Sequence, residues 1–313
     1  MEVLLANPRG FCAGVSRAIN IVERLLVKEN HPIYVYNEIV HNRSVVEDFK
    51  NRGVIFVKDI KNIPNHSVCV FSAHGVSKKV KSEAKQKELK IYDATCPLVK
   101  KVHMEVERAS EKGEECILIG HRNHPEVKGT LGHYKDTDFN KIYLIETMND
   151  IKKLNIINTN NITYCTQTTL SITDTNNVTS TLKKKYPKIT HPKKKDICYA
   201  TENRQVAIKK LASLSDIVLV VGSKNSSNSN RLLEIACSMK VESYLIDSEK
   251  DINLAWFNNK KICGITAGAS APDFLVNNVI EFLDKKFNSL RVRELDGLEE
   301  RKEFPLPREL NWY

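Results

Sequence analysis

VLLANPRGFCAGVSRAINIVERLL, residues 3–26, sets the plan of the chain. The apolar run VLLAN reads as a strand, and the stretch after Cys12 carries apolar residues at helical spacing, so Cys12 stands at a strand-to-helix junction. KIYDATCPLVKKVHMEVERA (90–109) repeats the arrangement around Cys96, and KKKDICYATENRQVAIKKLA (193–212) repeats it around Cys198. A cysteine at a helix start meets free N–H groups and partial positive charge, which favour its thiolate. Three such cysteines, 84 and 102 residues apart, imply one unit used three times around a shared soft-metal site.

The polar loops extend the repeat. His41 follows Cys12 by 29 residues in IYVYNEIVHNRSVVEDF, His124 follows Cys96 by 28 in CILIGHRNHPEVKGTL, and Asn228 follows Cys198 by 30 in IVLVVGSKNSSNSNRLLEIA. A third set comprises His74 in VCVFSAHGVSKKV, Thr168 in ITYCTQTTLSITDT and Ser270 in ICGITAGASAPDFLVNNVIEFL, at offsets of 62, 72 and 72. Each third therefore reads as strand, polar loop and helix three times over. That alternation predicts an α/β fold with covered parallel sheets, in which ligands bind beyond the carboxyl ends of the strands. The expected units are 1–96, 97–194 and 195–283, followed by a tail, 284–313, packed across the others.

A chain of 313 residues with 41% hydrophobic residues has room for three domains with real cores. VLLAN begins almost at Met1, so no leader is expected, and no apolar run is long enough to span a bilayer. The expected compartment is the cytoplasm, or a plastid-type organelle if a transit peptide has been removed. Eight cysteines in such a chain point to metal binding or catalysis rather than disulfides. Cys69, Cys116, Cys165, Cys237 and Cys263 are expected in apolar strands as core packing. The net charge of +10 largely reflects Lys-rich composition. LKKKYPKITHPKKKD (182–196) reads as a solvated linker and LNIINTNN (154–161) as a surface loop. No nucleic-acid module accompanies the charge, which suits phosphorylated or acidic partners instead.

None of the eight cysteines forms the C-x-x-C knuckle usual for structural zinc. Three isolated cysteines suit an iron–sulfur cluster with one iron lacking a cysteine ligand, open to act as a Lewis acid. Ser226, Ser227 and Asn228 precede the helix RLLEIA, and Ser270 precedes DFLVNNVIEFL, so hydroxyl and amide donors stand where an anion such as phosphate binds. Ser and Asn are also ordinary helix caps, and the matching repeat positions of His41, His74 and His124 tip the balance towards a ligand site. His31, His66, His103 and His191 are expected to be structural, and His121 and His133 carry no assigned role. Glu126, two residues after His124, is placed to relay a proton, and Thr168 to orient that carboxylate or a substrate oxygen.

NPRGFCAGVSRAI, YNEIVHNRSVV, FSAHGVS, DATCPLV, GHRNHPEVKG, TQTTLS, ICYATENRQ, VVGSKNSSNSNRL, TAGASAP and FPLP together resemble the 4-hydroxy-3-methylbut-2-enyl diphosphate reductase family, whose members end the methylerythritol phosphate route to isoprenoid precursors. The resemblance runs over essentially the whole chain. It implies three pseudo-symmetric α/β domains in a trefoil around one [4Fe-4S] cluster held by Cys12, Cys96 and Cys198. It implies that His41, His74, His124, Ser226, Ser227, Asn228 and Ser270 hold the diphosphate, that Glu126 donates a proton, and that Thr168 lies by the substrate hydroxyl. The implied reaction removes an allylic hydroxyl with two electrons and two protons, giving isopentenyl and dimethylallyl diphosphate plus water. No G-x-G-x-x-G nicotinamide fingerprint is present, so an external flavodoxin or ferredoxin is expected as electron donor, and a monomer or weak homodimer as the assembly. Two alternatives stand beside it: an iron–sulfur lyase of the quinolinate-synthase type, which consumes no reductant, and a cluster-binding regulator without catalysis.

Overall fold

Short apolar runs alternate with amphipathic stretches along the chain, and strands and helices follow that alternation. The computed structural model describes residues 1–192 and 194–311. From the N-terminus come β1 (Glu2–Leu5), α1 (Ala13–Lys28), β2 (Ile33–Tyr36), α2 (Arg43–Asn51), β3 (Ile55–Val57), β4 (Val68–Phe71), α3 (Lys78–Gln86) and β5 (Lys90–Asp93). Then follow α4 (Pro97–Glu111), β6 (Glu115–Ile119), α5 (Pro125–Leu131), β7 (Ile142–Ile145), α6 (Met148–Lys153), β8 (Ile162–Thr166) and α7 (Ile172–Lys185). The last part holds α8 (Tyr199–Ala212), β9 (Ile217–Val221), α9 (Ser227–Ser238), β10 (Glu242–Ile246), β11 (Ile262–Ala267), α10 (Asp273–Phe287) and β12 (Arg291–Glu294).

The strands of the described residues form three sheets, ordered β10-β9-β11-β1-β12, β3-β2-β4-β5 and β7-β6-β8. Every strand pairing within them is parallel. The chain divides into two compact units: residues 1–16, 40–49 and 199–303 in one, residues 17–39, 50–198 and the segment from Phe304 in the other. No described helix is long and apolar enough to cross a membrane.

In the first unit the five-stranded sheet is covered on both faces, so its central strands read as unbroken apolar runs. Val3, Leu5 and Leu219 pack with Val279 and Leu283 of α10 on one side. Leu4, Val218 and Val220 pack with Ile208 and Leu211 of α8 and Leu232 of α9 on the other. Each such side chain contributes about 1.5–3 kcal/mol on full burial. In the second unit, Cys69 and Phe71 of β4 pack on Ile60, Ile63 and Ala84. The residues of β6 alternate between two cores: Ile117 and Ile119 join Val178 and Leu182 of α7, whereas Cys116 and Leu118 join Val102 and Val106 of α4.

Three expectations require revision. The five-stranded sheet does not keep to the linear segment 195–283, because β1, from 1–96, pairs with β11 (Leu4 beside Gly264), whereas β5 stays within 1–96 beside β4 (Cys69 beside Ile91). β1, before Cys12, thus joins the sheet of β9 and β11 and must reach to the far end of the sequence, and among the described residues no strand stands directly before Cys198. Cys237 lies exposed in α9 rather than in a strand, since RLLEIACS keeps a helical period. The stretch 182–196 is not a solvated linker: Leu182, Tyr186 and Ile189 are buried and Thr190 bridges to Thr163. Lys193 within it lies outside the described residues. The tail contributes a strand, β12, which pairs with β1 through Leu4 and Arg293.

Candidate active site

Each of the three junction cysteines lies at or just before a helix start. Cys12 precedes α1, Cys96 caps α4 with Pro97 behind it, and Cys198 precedes α8. Pro is preorganised for the first helical position and gives up no needed N–H there. None of the three is in a disulfide, and all are half-buried. Each backbone N–H is tied to a neighbouring polar loop: Cys12 to the Ala269 carbonyl at 3.2 Å, Cys96 to that of Ala73 at 3.0 Å and Cys198 to that of Thr168 at 3.0 Å. The acceptors are Thr168 itself and the residues just before Ser270 and His74, so the backbone links each cysteine to the third polar loop of the repeat.

The other cysteines differ in kind. Cys69, Cys116, Cys165 and Cys263 are buried. Burial alone pushes the Cys69 and Cys263 thiols up to about 12, and Cys165 is raised by its hydrogen bond with Cys116 and by burial. Such thiols are poor ligands, whereas partly exposed thiols at helix starts suit iron. Among the described residues no three His, Cys, Asp or Glu side chains gather as the ligands of one ion would. A multi-iron cluster is a wider body whose cysteines stand further apart.

Glu126 lies in the first turn of α5 and is 3% exposed. One of its carboxylate oxygens accepts from the Thr168 N–H at 2.7 Å and the other from the Thr168 hydroxyl at 3.0 Å. Its own N–H donates to His124 Nδ1 at 3.2 Å. Burial pushes the carboxyl up to about 7, the two Thr168 hydrogen bonds oppose that rise, and the charge of Asp196 adds to it. A carboxyl that exchanges its proton near neutrality is suited to general acid chemistry. His74 and His124 meet edge to face with ring centroids 5.7 Å apart in the same unit.

A second group forms in the first unit, at the carboxyl ends of the neighbouring strands β9 and β11. Ser226 caps α9, accepting from the Ser229 N–H at 3.3 Å, and Ser227 opens the helix. The Ser270 hydroxyl donates to the His41 carbonyl at 2.8 Å and lies 3.5 Å from the Ser226 hydroxyl. Asn228 Oδ1 accepts from the Ala269 N–H at 3.0 Å, while its Nδ2, also buried, has no protein partner. A buried donor without a partner costs about 1–3 kcal/mol, which a bound acceptor offsets. Gly222 and Gly268 make the loop geometry possible, since a Cβ on either would overlap Ser229.

The remaining histidines stand apart. His103 stacks on His133 at 4.1 Å, its imidazole pushed down to about 3 by burial and by His133. His133 Nε2 contacts the Val76 carbonyl at 3.1 Å, and His121 pairs with Glu146 at 3.0 Å. Two polar residues near His41 were not singled out by sequence: Asn225, whose Nδ2 lies 3.4 Å from His41 Nδ1, and Ser223, whose hydroxyl accepts from the Arg43 N–H at 3.0 Å. Both lie in the quoted GSKNSSNSN loop, and its density of amides and hydroxyls was the available signal.

A family model described as LytB protein matches residues 3–284. The 4-hydroxy-3-methylbut-2-enyl diphosphate reductase of Psychromonas ingrahamii is 57% identical over 99% of this chain and 98% of its own length. The enzyme of that name from Francisella tularensis subsp. holarctica is 54% identical over 98% and 96%. Among solved structures, the E-1-hydroxy-2-methyl-but-2-enyl-4-diphosphate reductase of Plasmodium falciparum superposes with a TM-score of 0.93 at 36% identity, covering 99% of this chain and 96% of that one. The chain belongs to the LytB protein family.

Proposed function

We infer that the chain is an iron–sulfur oxidoreductase, the 4-hydroxy-3-methylbut-2-enyl diphosphate reductase that ends the non-mevalonate route to isoprenoid precursors. Relatives named for that activity cover nearly the whole chain at 54–57% identity. The structural observation that carries the reading is the buried Glu126 carboxyl, held by both donors of Thr168, whose carbonyl in turn holds the Cys198 N–H. That arrangement supports the reading by tying the proposed proton donor to the loop of Cys198, a proposed cluster ligand.

Cys12, Cys96 and Cys198 would hold one [4Fe-4S] cluster through their thiolates. When bound, the cluster supplies electrons singly and an iron without a cysteine ligand that serves as a Lewis acid. His41, His74, His124, Ser226, Ser227, Asn228 and Ser270 bind the diphosphate, supplying binding energy remote from the reacting carbon and orienting the alcohol. Thr168 positions Glu126 and the substrate oxygen. Glu126 gives its proton to the departing hydroxyl, which leaves as water, because hydroxide is a poor leaving group. The second proton and two electrons complete the conversion of the alcohol to isopentenyl or dimethylallyl diphosphate. An external one-electron carrier of acidic surface, of the flavodoxin or ferredoxin type, suits a chain of net charge +10.

Anaerobic turnover of the allylic diphosphate with a one-electron reductant tests the reading. The expected result is both isoprenoid diphosphates with two electrons consumed per product. Conversion without reductant consumption, or none at all by cluster-loaded protein, contradicts it.

A further inference from the structure

Three basic side chains stand at nearly the same offset behind the three junction cysteines: Arg17, Lys101 and Arg204, at five, five and six residues. Each reaches the backbone just before a different junction cysteine. Arg17, on α1, donates to the carbonyls of Asp93 and Thr95, each at 3.4 Å, on the approach to Cys96. Lys101, on α4, donates to the carbonyls of Lys194 and Lys195 at 2.7 and 3.1 Å and to Asp196 Oδ1 at 2.7 Å, on the approach to Cys198. Arg204, on α8 and 1% exposed, donates to the Gly10 carbonyl at 2.7 and 3.2 Å and to that of Phe11 at 3.4 Å, on the approach to Cys12. The order is cyclic: the helix behind one cysteine holds the loop in front of the next.

The carbonyls held by Arg17 and Arg204 are buried or part-buried, where a carbonyl requires a donor, whereas those of Lys194 and Lys195 are exposed and are held together with the buried Asp196 carboxylate. A guanidinium fork spans two of them, and an ammonium has three donors to distribute. The C-terminal tail reinforces two members of the set. Pro305 accepts from Arg17 Nε at 2.8 Å, and the Glu300 carboxylate accepts from Arg204 Nη1 at 3.1 Å. No comparable tail contact is needed at Lys101, because Asp196 supplies its carboxylate from the loop itself.

We propose that Arg17, Lys101 and Arg204 are positioning residues that set the thiols of Cys96, Cys198 and Cys12, respectively, for cluster ligation, so that each ligand loop depends on the helix behind another ligand. This rests on the reading of those cysteines as cluster ligands. Groups that orient metal ligands typically matter 10–100-fold for metal retention. Lys for Arg at position 17 or 204 keeps the charge but not the fork and should restore retention only in part.

The test uses the full chain, anaerobically loaded with iron and sulfide, as wild type and as Arg17→Gln, Lys101→Gln and Arg204→Gln, with Arg17→Lys and Arg204→Lys as conservative variants. Arg52→Gln, which breaks an exposed ion pair with Glu23, is the control. Iron loss to a chelator, the electron paramagnetic resonance spectrum of the reduced protein and backbone hydrogen exchange are read together. The expected result is iron loss about 10–100-fold faster in the three Gln variants, an altered spectrum, and faster exchange confined to the assigned loop: 93–96 for Arg17, 194–198 for Lys101 and 10–12 for Arg204. Wild-type retention and spectrum in folded Gln variants overturn the proposal, as does faster exchange with an unchanged spectrum and unchanged retention per folded molecule. Should a variant fail to fold, its Lys counterpart and the other two positions carry the same comparison. A wild-type chain that takes up no cluster, or keeps it in Cys96→Ser, overturns the cysteine reading itself.

Discussion

Thr168 places its N–H and its hydroxyl on the two carboxylate oxygens of Glu126, at 2.7 and 3.0 Å. Both donors favour the ionised carboxylate, yet burial outweighs them and leaves the group at about 7. Glu126 is therefore poised between two protonation states.

The first concerns stability against pH. Below the ordinary value of 4.5 the carboxyl is protonated both folded and unfolded and costs nothing. As pH rises from there through about 7 the unfolded chain ionises more readily, so a cost on folding accumulates and is complete above the folded value. Glu126→Gln removes an ionisable group and should gain on the order of 1–3 kcal/mol over wild type at pH 8, with the gap closing below pH 4.5. Denaturant unfolding at the two pH values measures it, and an equal gap at both contradicts the assignment of Glu126.

Thr168→Val deletes the hydroxyl and keeps the backbone N–H. Losing a donor that favours the carboxylate should move the Glu126 titration above about 7 and shift the pH–rate profile the same way. Turnover should fall about tenfold, the scale of one hydrogen bond to a charged group. An unshifted profile would separate Thr168 from Glu126 in solution.

How far the sequence alone reached can be judged residue by residue. The junction cysteines, the polar loops and the α/β alternation are local patterns, and local patterns are readable. Sheet membership is not: β1 pairs with β11 and β12, more than 250 positions away, and nothing in VLLAN names those partners. Cys237 was misplaced because a short apolar run fits helix and strand equally. The buried stretch around Tyr186 and Ile189 was masked by its lysines, which stay at the surface while the apolar residues between them turn inward. The contact of Thr168 with Glu126 joins loops 42 residues apart and became visible only with strand order. Arg17, Lys101 and Arg204 were legible as a repeated spacing, but a basic residue on a helix carries no meaning until its acceptors are known.

Asn228→Asp keeps the oxygen that holds the Ala269 N–H and replaces the buried Nδ2 donor with an anionic oxygen. The fold should persist while affinity for inorganic diphosphate falls at least about tenfold, from loss of a hydrogen bond to a charged ligand. Calorimetric titration with diphosphate reads this directly, and unchanged affinity returns Asn228 to a purely structural role.

Serine at Cys12, Cys96 or Cys198 should abolish stable iron and sulfide retention, whereas Cys237→Ser should leave both at wild-type levels, since its thiol is exposed in α9. Metal analysis after anaerobic loading decides. Full retention in any one of the first three, or loss in the fourth, contradicts the ligand assignment.

Turnover by Glu126→Gln, measured anaerobically on cluster-loaded protein alongside diphosphate affinity, tests the central claim most directly. The variant keeps shape and hydrogen-bonding capacity but cannot cycle a proton. The account predicts normal cluster content, normal diphosphate binding and turnover reduced about 100-fold or more, the scale of general acid catalysis. Near-wild-type turnover in that loaded, ligand-binding variant would contradict it.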